Sequence, residues 1–161
     1  MNQEQFEQLL ENLQSPDNAV RKDAEVTYGE FRDNHPVETM MALLEVGATG
    51  SSEGSLTMAL VLLRKLFQKD CDYYEQCNAD TQGTIREKLL NIFGNAQNNN
   101  HRRNSAACVS ALAVKLTGFG GWDELWETLF NTILDNDAPS VHRASSCDVI
   151  NSTATVLATT Y

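Results

Sequence analysis

The chain has 161 residues, 42% of them hydrophobic, and its 22 acidic side chains outnumber 12 basic ones for a net charge of -10. That length and content suffice for one compact domain or a few stacked repeats. The charge argues against nucleic acid as the main partner, because phosphate contacts need Lys and Arg, and leaves a surface that is either simply solvated or complementary to basic proteins.

From the start, Phe6, Leu9, Leu10 and Leu13 form the stripe of a short first helix, surrounded by polar residues from Asn2 to Glu11. Ser15 and Pro16 read as the cap and first position of a second helix, where proline's missing N–H does no harm. Val20, Ala24, Thr27 and Phe31 then recur at helical spacing, and the helix runs to about Asp33. Asn34-His35-Pro36 breaks the chain. Val37, Met40, Met41 and Leu44 mark a third helix, with Gly47 as its expected stop.

Gly47 to Gly54 reads as a flexible loop by composition. Leu56 to Phe67 is apolar on nearly every side until Arg64, as expected of a helix buried between neighbours. Asp70 to Asp80 reads as a linker carrying Tyr73 and Tyr74. A fifth helix uses Ile85, Leu89, Ile92, Phe93 and Ala96, and an Asn-rich turn over 95–100 leads to a sixth on Ala106, Val109, Ala113 and Leu116. Gly118-Phe119-Gly120-Gly121 is the next break. The seventh helix has Trp122, Leu125, Trp126, Leu129, Phe130, Ile133 and Leu134. The eighth, from about Ser140 to Ala158, presents Val141, Ala144, Cys147, Ile150, Ala154 and Leu157.

Val20-Arg21-Lys22-Asp23-Ala24 is echoed by His101-Arg102-Arg103-Asn104-Ser105 and by Val141-His142-Arg143-Ala144-Ser145. The echoes lie roughly two and three periods of about 40 residues downstream, the mark of a HEAT-type solenoid. The expected fold is all-α: a right-handed α-solenoid of about four HEAT-like antiparallel helix pairs. The repeats are expected at about 1–35, 36–70, 78–117 and 122–159, forming one array over 1–161. The second helices of the pairs start near Pro16, Ser55, Asn99 and Pro139. The polar first helix suits a capping role, whereas the end at Tyr161 has no polar closing helix. The expectation is an N-terminal piece of a longer solenoid.

Cys71, Cys77, Cys108 and Cys147 show no CxxC spacing, which argues against a zinc ribbon or redox dithiol and for free thiols in a reducing compartment. There is no run of about 18 apolar residues and no secretory signal, so a soluble intracellular protein is expected. His35, His101 and His142 have no metal-ligand spacing. No GxSxG, phosphate-binding Gly-rich loop or HExxH is present, so no catalytic, cofactor or metal residue is assigned.

Glu4-Gln5-Phe6 with Leu9-Leu10 and Leu13, then Ser15-Pro16-Asp17-Asn18, Val20-Arg21-Lys22, Ala24-Glu25 and Tyr28, and finally Met58-Ala59 with Val61 to Leu66, together resemble a known pattern. They are similar in order and spacing to the N-terminus of the importin-beta superfamily, the karyopherin-beta nuclear transport receptors, and most of all to the importin-five or karyopherin-beta-three type. The resemblance covers the chain to about Phe67 and is looser beyond. Where the family carries an Arg ahead of Met58-Ala59, this chain has Leu56-Thr57.

The resemblance implies a non-enzymatic HEAT solenoid that shuttles between cytoplasm and nucleus through the nuclear pore and releases cargo when Ran-GTP binds. It implies Ran contacts in these repeats, with basic cargo proteins and Phe-Gly nucleoporins bound by the rest of a full-length receptor, and neither nucleic acid nor membrane as a partner. The second, inner helices of the pairs are where contacts are expected. Candidates there are Lys22 and Glu25, then Arg64, Lys65 and Gln68, then Arg103 and Asn104, with Lys115 and Gly29 behind them. Basic groups at this edge suit acidic groups on a GTPase switch region. Trp122 and Trp126 are read as packing between the third and fourth repeats rather than as an exposed aromatic pair. The alternative is a HEAT scaffold or adaptor subunit with no GTPase contact.

Overall fold

A computed structural model describes residues 1–116 and 121–160; the expected break at Gly118-Phe119-Gly120 lies outside them. The described residues form eight helices and no strand: α1 (Gln3–Asn12), α2 (Asn18–Asn34), α3 (Pro36–Thr49), α4 (Glu53–Leu66), α5 (Ala79–Gly94), α6 (Asn99–Leu116), α7 (Asp123–Leu134) and α8 (Ser140–Thr160).

Local chemistry explains the starts. At α1, the Asn2 side chain accepts from the Gln5 N–H while the Gln5 side chain accepts from the Asn2 N–H, a reciprocal capping box. α2 starts later than Ser15-Pro16 suggests. Asp17 is the cap, and its carboxylate accepts from the N–H groups of both Ala19 and Val20. A carboxylate satisfies two orphan donors and complements the helix dipole, whereas the Ser15 hydroxyl accepts from the Asp17 N–H and caps no helical N–H among the described residues. Pro36 opens α3 directly after His35.

The segment expected as a flexible loop is mostly helix. Gly47 to Thr49 finish α3, and Ser52 caps α4 in a box with Ser55. The remaining turn is held by α1, whose Glu7 accepts from the Ser51 N–H and hydroxyl at 3.0 and 2.5 Å, and Gln14, just past α1, donates to the Gly54 carbonyl in the first turn of α4 at 3.1 Å. Gly47 is not a stop. It is buried inside α3, where an added Cβ would stand 3.1 Å from a Leu60 methyl, so its missing side chain lets α4 approach.

The helices stack in pairs around one apolar cluster running from Phe6 to Val149. α3 packs on α4 and α5; α4 packs on α6, α6 on α8, and α7 on α8. The second helices of the last three pairs thus form a contiguous row. α2 rests on α1 and α3 instead, and α1 meets α4. The fold is an α-solenoid of four HEAT-like helix pairs.

Two stripes differ from expectation. On α2 the buried residues are Ala24 and Tyr28, with Phe31 half-buried against Phe6, while Thr27 is exposed and Val20 is 40% exposed. On α8 the buried residues are Ser146, Val149 and Thr153, one position before the expected Cys147, Ile150 and Ala154. Thr153 tolerates burial because its hydroxyl donates to the Val149 carbonyl at 2.8 Å. Val61 on α4 is exposed, and Phe130 and Leu134 on α7 are 51% and 75% exposed. The spacing of these helices is right, but neighbours cover only part of each apolar surface.

The linker after α4 is tightly held. Tyr74 and Cys77 are buried in the core, and the Tyr74 hydroxyl accepts from Arg86 at 3.0 Å. Tyr73 donates to Asp33 at the end of α2 at 3.1 Å, with Arg32 5.9 Å above its ring.

Candidate functional site

α4, α6 and α8 enclose a groove of about 800 Å³. Its shape depends on how α6 is fixed to α4, which happens at three levels. At the N-terminal end, Asn100 donates to Thr57 at 2.9 Å and to Glu53 at 3.3 Å. In the middle, the buried Cys108 thiol donates to the Leu60 carbonyl at 2.9 Å. Burial pushes that thiol up to about 12, so it stays protonated and is not a nucleophile. At the far end, Lys115 donates to the Gln68 carbonyl at 3.2 Å and to the Cys71 carbonyl, and pairs with Glu75 at 2.9 Å.

The groove floor is made by small side chains of α6, among them Ala106, Ala107, Ser110 and Ala111. Arg64 and Gln68 stand on the α4 side with Lys69 just beyond, and Arg103 enters from α6. Asp148, Ser152, Val156 and Leu157 of α8 form the opposite side.

Of the residues expected from sequence, Arg64, Gln68 and Arg103 therefore meet in one groove. Lys65 is exposed beside Arg64 but does not line it. Lys22 and Glu25 are exposed on α2, away from the groove. Asn104 is half-buried, and its amide donates to the carbonyl and the side-chain oxygen of Asn100 at 2.9 and 3.0 Å, a contact within α6. Lys115 is no surface contact: its side chain is 4% exposed and ties the α4–α5 linker to α6. Sequence reasoning missed Lys69, the Ala107–Ala111 floor and the α8 side. The small-residue run on α6 was a signal for the floor. The uncertain face of α8 hid the rest.

His101 is buried as a structural residue. Its Nε2 lies 2.8 Å from the Gly47 carbonyl, and its Nδ1 accepts from the Gln97 N–H at 3.4 Å. Nε2 is therefore the protonated nitrogen, donating from the start of α6 to the end of α3. Trp122 is buried and Trp126 half-buried against the core. Among the described residues no three His, Cys, Asp or Glu side chains are grouped to hold a metal ion, and no helix is long and apolar enough to cross a membrane.

No family model matches the chain. Solved structures match it over nearly its whole length. Yeast importin-beta (Kap95p) is 18% identical over 95% of this chain, with a TM-score of 0.83. Kap95 in complex with Nup1 gives the same identity and TM-score. Kap121p bound to RanGTP is 21% identical over 96% of this chain, with a TM-score of 0.81. The chain spans 19% of the Kap95 structures and 14% of the Kap121p one. The chain has an importin-beta-like helical-solenoid fold.

Proposed function

We propose that these helix pairs serve an importin-beta-like nuclear transport receptor, of the importin-five type that the opening residues resemble, and bind Ran-GTP to control cargo release during import. On this reading the protein is not an enzyme, works in the cytoplasm and nucleus, and has its repeats at about 1–35, 36–70, 78–117 and 122–159. Arg64, Lys65, Gln68 and Arg103 carry the contact, with Lys22, Glu25 and Asn104 extending it. The observation that carries the reading is the convergence of Arg64, Gln68 and Arg103 in one groove of a solenoid that superposes on Kap121p solved with RanGTP. GTPase switch loops differ between nucleotide states, so a surface complementary to one arrangement discriminates by shape as well as charge.

The test is calorimetry of this chain against Ran loaded with a non-hydrolysable GTP analogue or with GDP. Preference for the GTP form is expected. Arg64→Glu with Lys65→Glu should weaken binding at least tenfold with an unchanged melting temperature, because both side chains are exposed. Equal affinity for the two forms, or no binding at tens of micromolar, would favour a HEAT scaffold or adaptor without a GTPase contact.

A further inference from the structure

The basic side chains of this acidic chain differ in what they do. Half of the 12 are engaged within the fold. Arg21 and Arg102 bind turn carbonyls, Arg32 binds Asp33, Arg86 binds Tyr74, Lys88 binds Glu45 and Lys115 holds the linker. Among the described residues the other six make no side-chain hydrogen bond or ion pair, although 22 carboxylates are available: Lys22, Lys65 and Arg143, which lie outside the groove, and Arg64, Lys69 and Arg103. The last three all line the α4–α6–α8 groove.

Helix energetics accounts for Arg64, which stands in the last turn of α4, where the helix dipole favours a cation. It does not account for Arg103. That residue is the fifth of α6, far from the last turn where the dipole would favour it. Its neighbour Arg102, in the first turn, donates to Ala96 and Asn99, whereas Arg103 makes no such contact among the described residues. Of the acidic residues lining the groove, Glu75 is taken by Lys115, leaving Asp148 on α8.

From this charge pattern and the groove's shape we infer that the α4–α6–α8 groove docks an acidic amphipathic helix of a partner protein. Aliphatic side chains of that helix rest on Ala107, Ala111 and Val156, and its carboxylates meet Arg64, Lys69 and Arg103. A helix suits the groove better than an extended strand. The walls are helices whose backbone groups are already paired, so a strand would leave its own N–H and C=O groups without partners. The small floor residues allow a helix to approach closely. The inference rests on the partner-binding reading of the groove but not on the identity of the GTPase.

The probe is a fluorescein-labelled peptide of about 18 residues, five helical turns, with Leu at i, i+3, i+4 and i+7 spacing and Glu elsewhere. A second peptide has Lys in place of Glu. Fluorescence anisotropy should show micromolar binding of the Glu peptide, at least tenfold tighter than the Lys peptide and weakened by salt. Arg64→Glu with Arg103→Glu should weaken it at least tenfold. Ala107→Trp, which fills the floor without changing charge, should do the same. Asn131→Glu with Asn136→Glu adds negative charge outside the groove and should change affinity less than twofold. Melting temperatures identify any variant that is simply unfolded. Equal binding of the two peptides, no binding of the Glu peptide, or indifference to Ala107→Trp would overturn the inference. Ran-GTP binding without Glu-peptide binding would sink it and leave the proposed function standing; the reverse result would do the opposite.

Discussion

Arg102 lies against the turn before α6 as Arg21 lies against the turn before α2. Each guanidinium donates to the carbonyl six residues back, Ala96 at 3.3 Å or Ser15 at 3.0 Å, and to the Asn three residues back, Asn99 or Asn18. The sequence echo between the first and third repeats is thus a repeated lock on the turn between paired helices. In the last repeat the arginine at the equivalent position is Arg143, three residues before buried Ser146 as Arg21 and Arg102 are three before Ala24 and Ser105, but its Nε is buried without a partner among the described residues and the lock is not repeated there. This places the echo one residue later than the sequence alignment does. Arg102→Ala is expected to cost about 1 kcal/mol, since its partners are partly solvated. Hydrogen exchange should quicken at the first turn of α6, and unchanged protection there would contradict the lock.

Lys115→Met should destabilise by about 2–3 kcal/mol in urea unfolding. The substitution leaves the Gln68 and Cys71 carbonyls without their donor and Glu75 without its partner. The cost stays at the lower end for a buried pair, because Glu75 is partly exposed and keeps some water. Exchange over residues 67–78 should increase selectively. A linker as protected as before would show that the lysine does not hold it.

Leu63 and Leu62 are neighbours with different fates. Leu63 is fully buried and Leu62 only partly so. Leu63→Asp places a charge in the core without a partner and should unfold the chain, at several kcal/mol. Leu62→Asp should leave a folded protein of reduced stability. Circular dichroism separates the two, and a native-like helical signal with an unchanged melting temperature for Leu63→Asp would be incompatible with the packing described.

Glu7 introduces a pH dependence. The Ser51 hydroxyl, and after it the Ser51 N–H, hold its carboxyl below the ordinary carboxylate value. A depressed folded-state pKa stabilises the fold fully above the unfolded value, about 4.3. That contribution is lost as pH falls through the lower folded value. The site is largely exposed, so the effect is small, under about 1 kcal/mol. Glu7→Gln should lower the melting temperature slightly at pH 7 and converge with wild type below pH 4. A difference that grows on acidification would contradict the assignment.

Gly47→Leu should destabilise by about 2 kcal/mol or more, because the side chain must enter the contact with Leu60 and Ile92. Gly47→Ala should stay within about 1 kcal/mol of wild type. Its Cβ is tight only against a movable leucine methyl, at 3.1 Å, and alanine gains helix propensity. Equal melting temperatures for the two variants would rule out the close α3–α4 approach.

Helix content, the order of the elements and the stripes of α1 and α5 were legible in the sequence, because they rest on i, i+3 and i+4 spacing and on capping residues that act over a few positions, whereas on α3 Leu43 and Val46 are buried where Val37 and Met41 were expected. Even the turn lock left a visible trace, since the same local geometry calls for the same Asn and Arg in the first and third repeats. The tertiary structure alone decided which face of α8 is buried. That helix mixes small and polar residues all round, and contact with α6 and α7 selects Ser146, Val149 and Thr153. It also turned Gly47 from a stop into a contact point and Lys115 from a surface charge into a linker clamp. The gathering of Arg64, Lys69 and Arg103 is of the same kind. Arg103 lies far along the chain from Arg64 and Lys69, and only stacking of one pair on the next, driven by burial of their shared apolar faces, brings α6 beside α4 and the three charges to one groove.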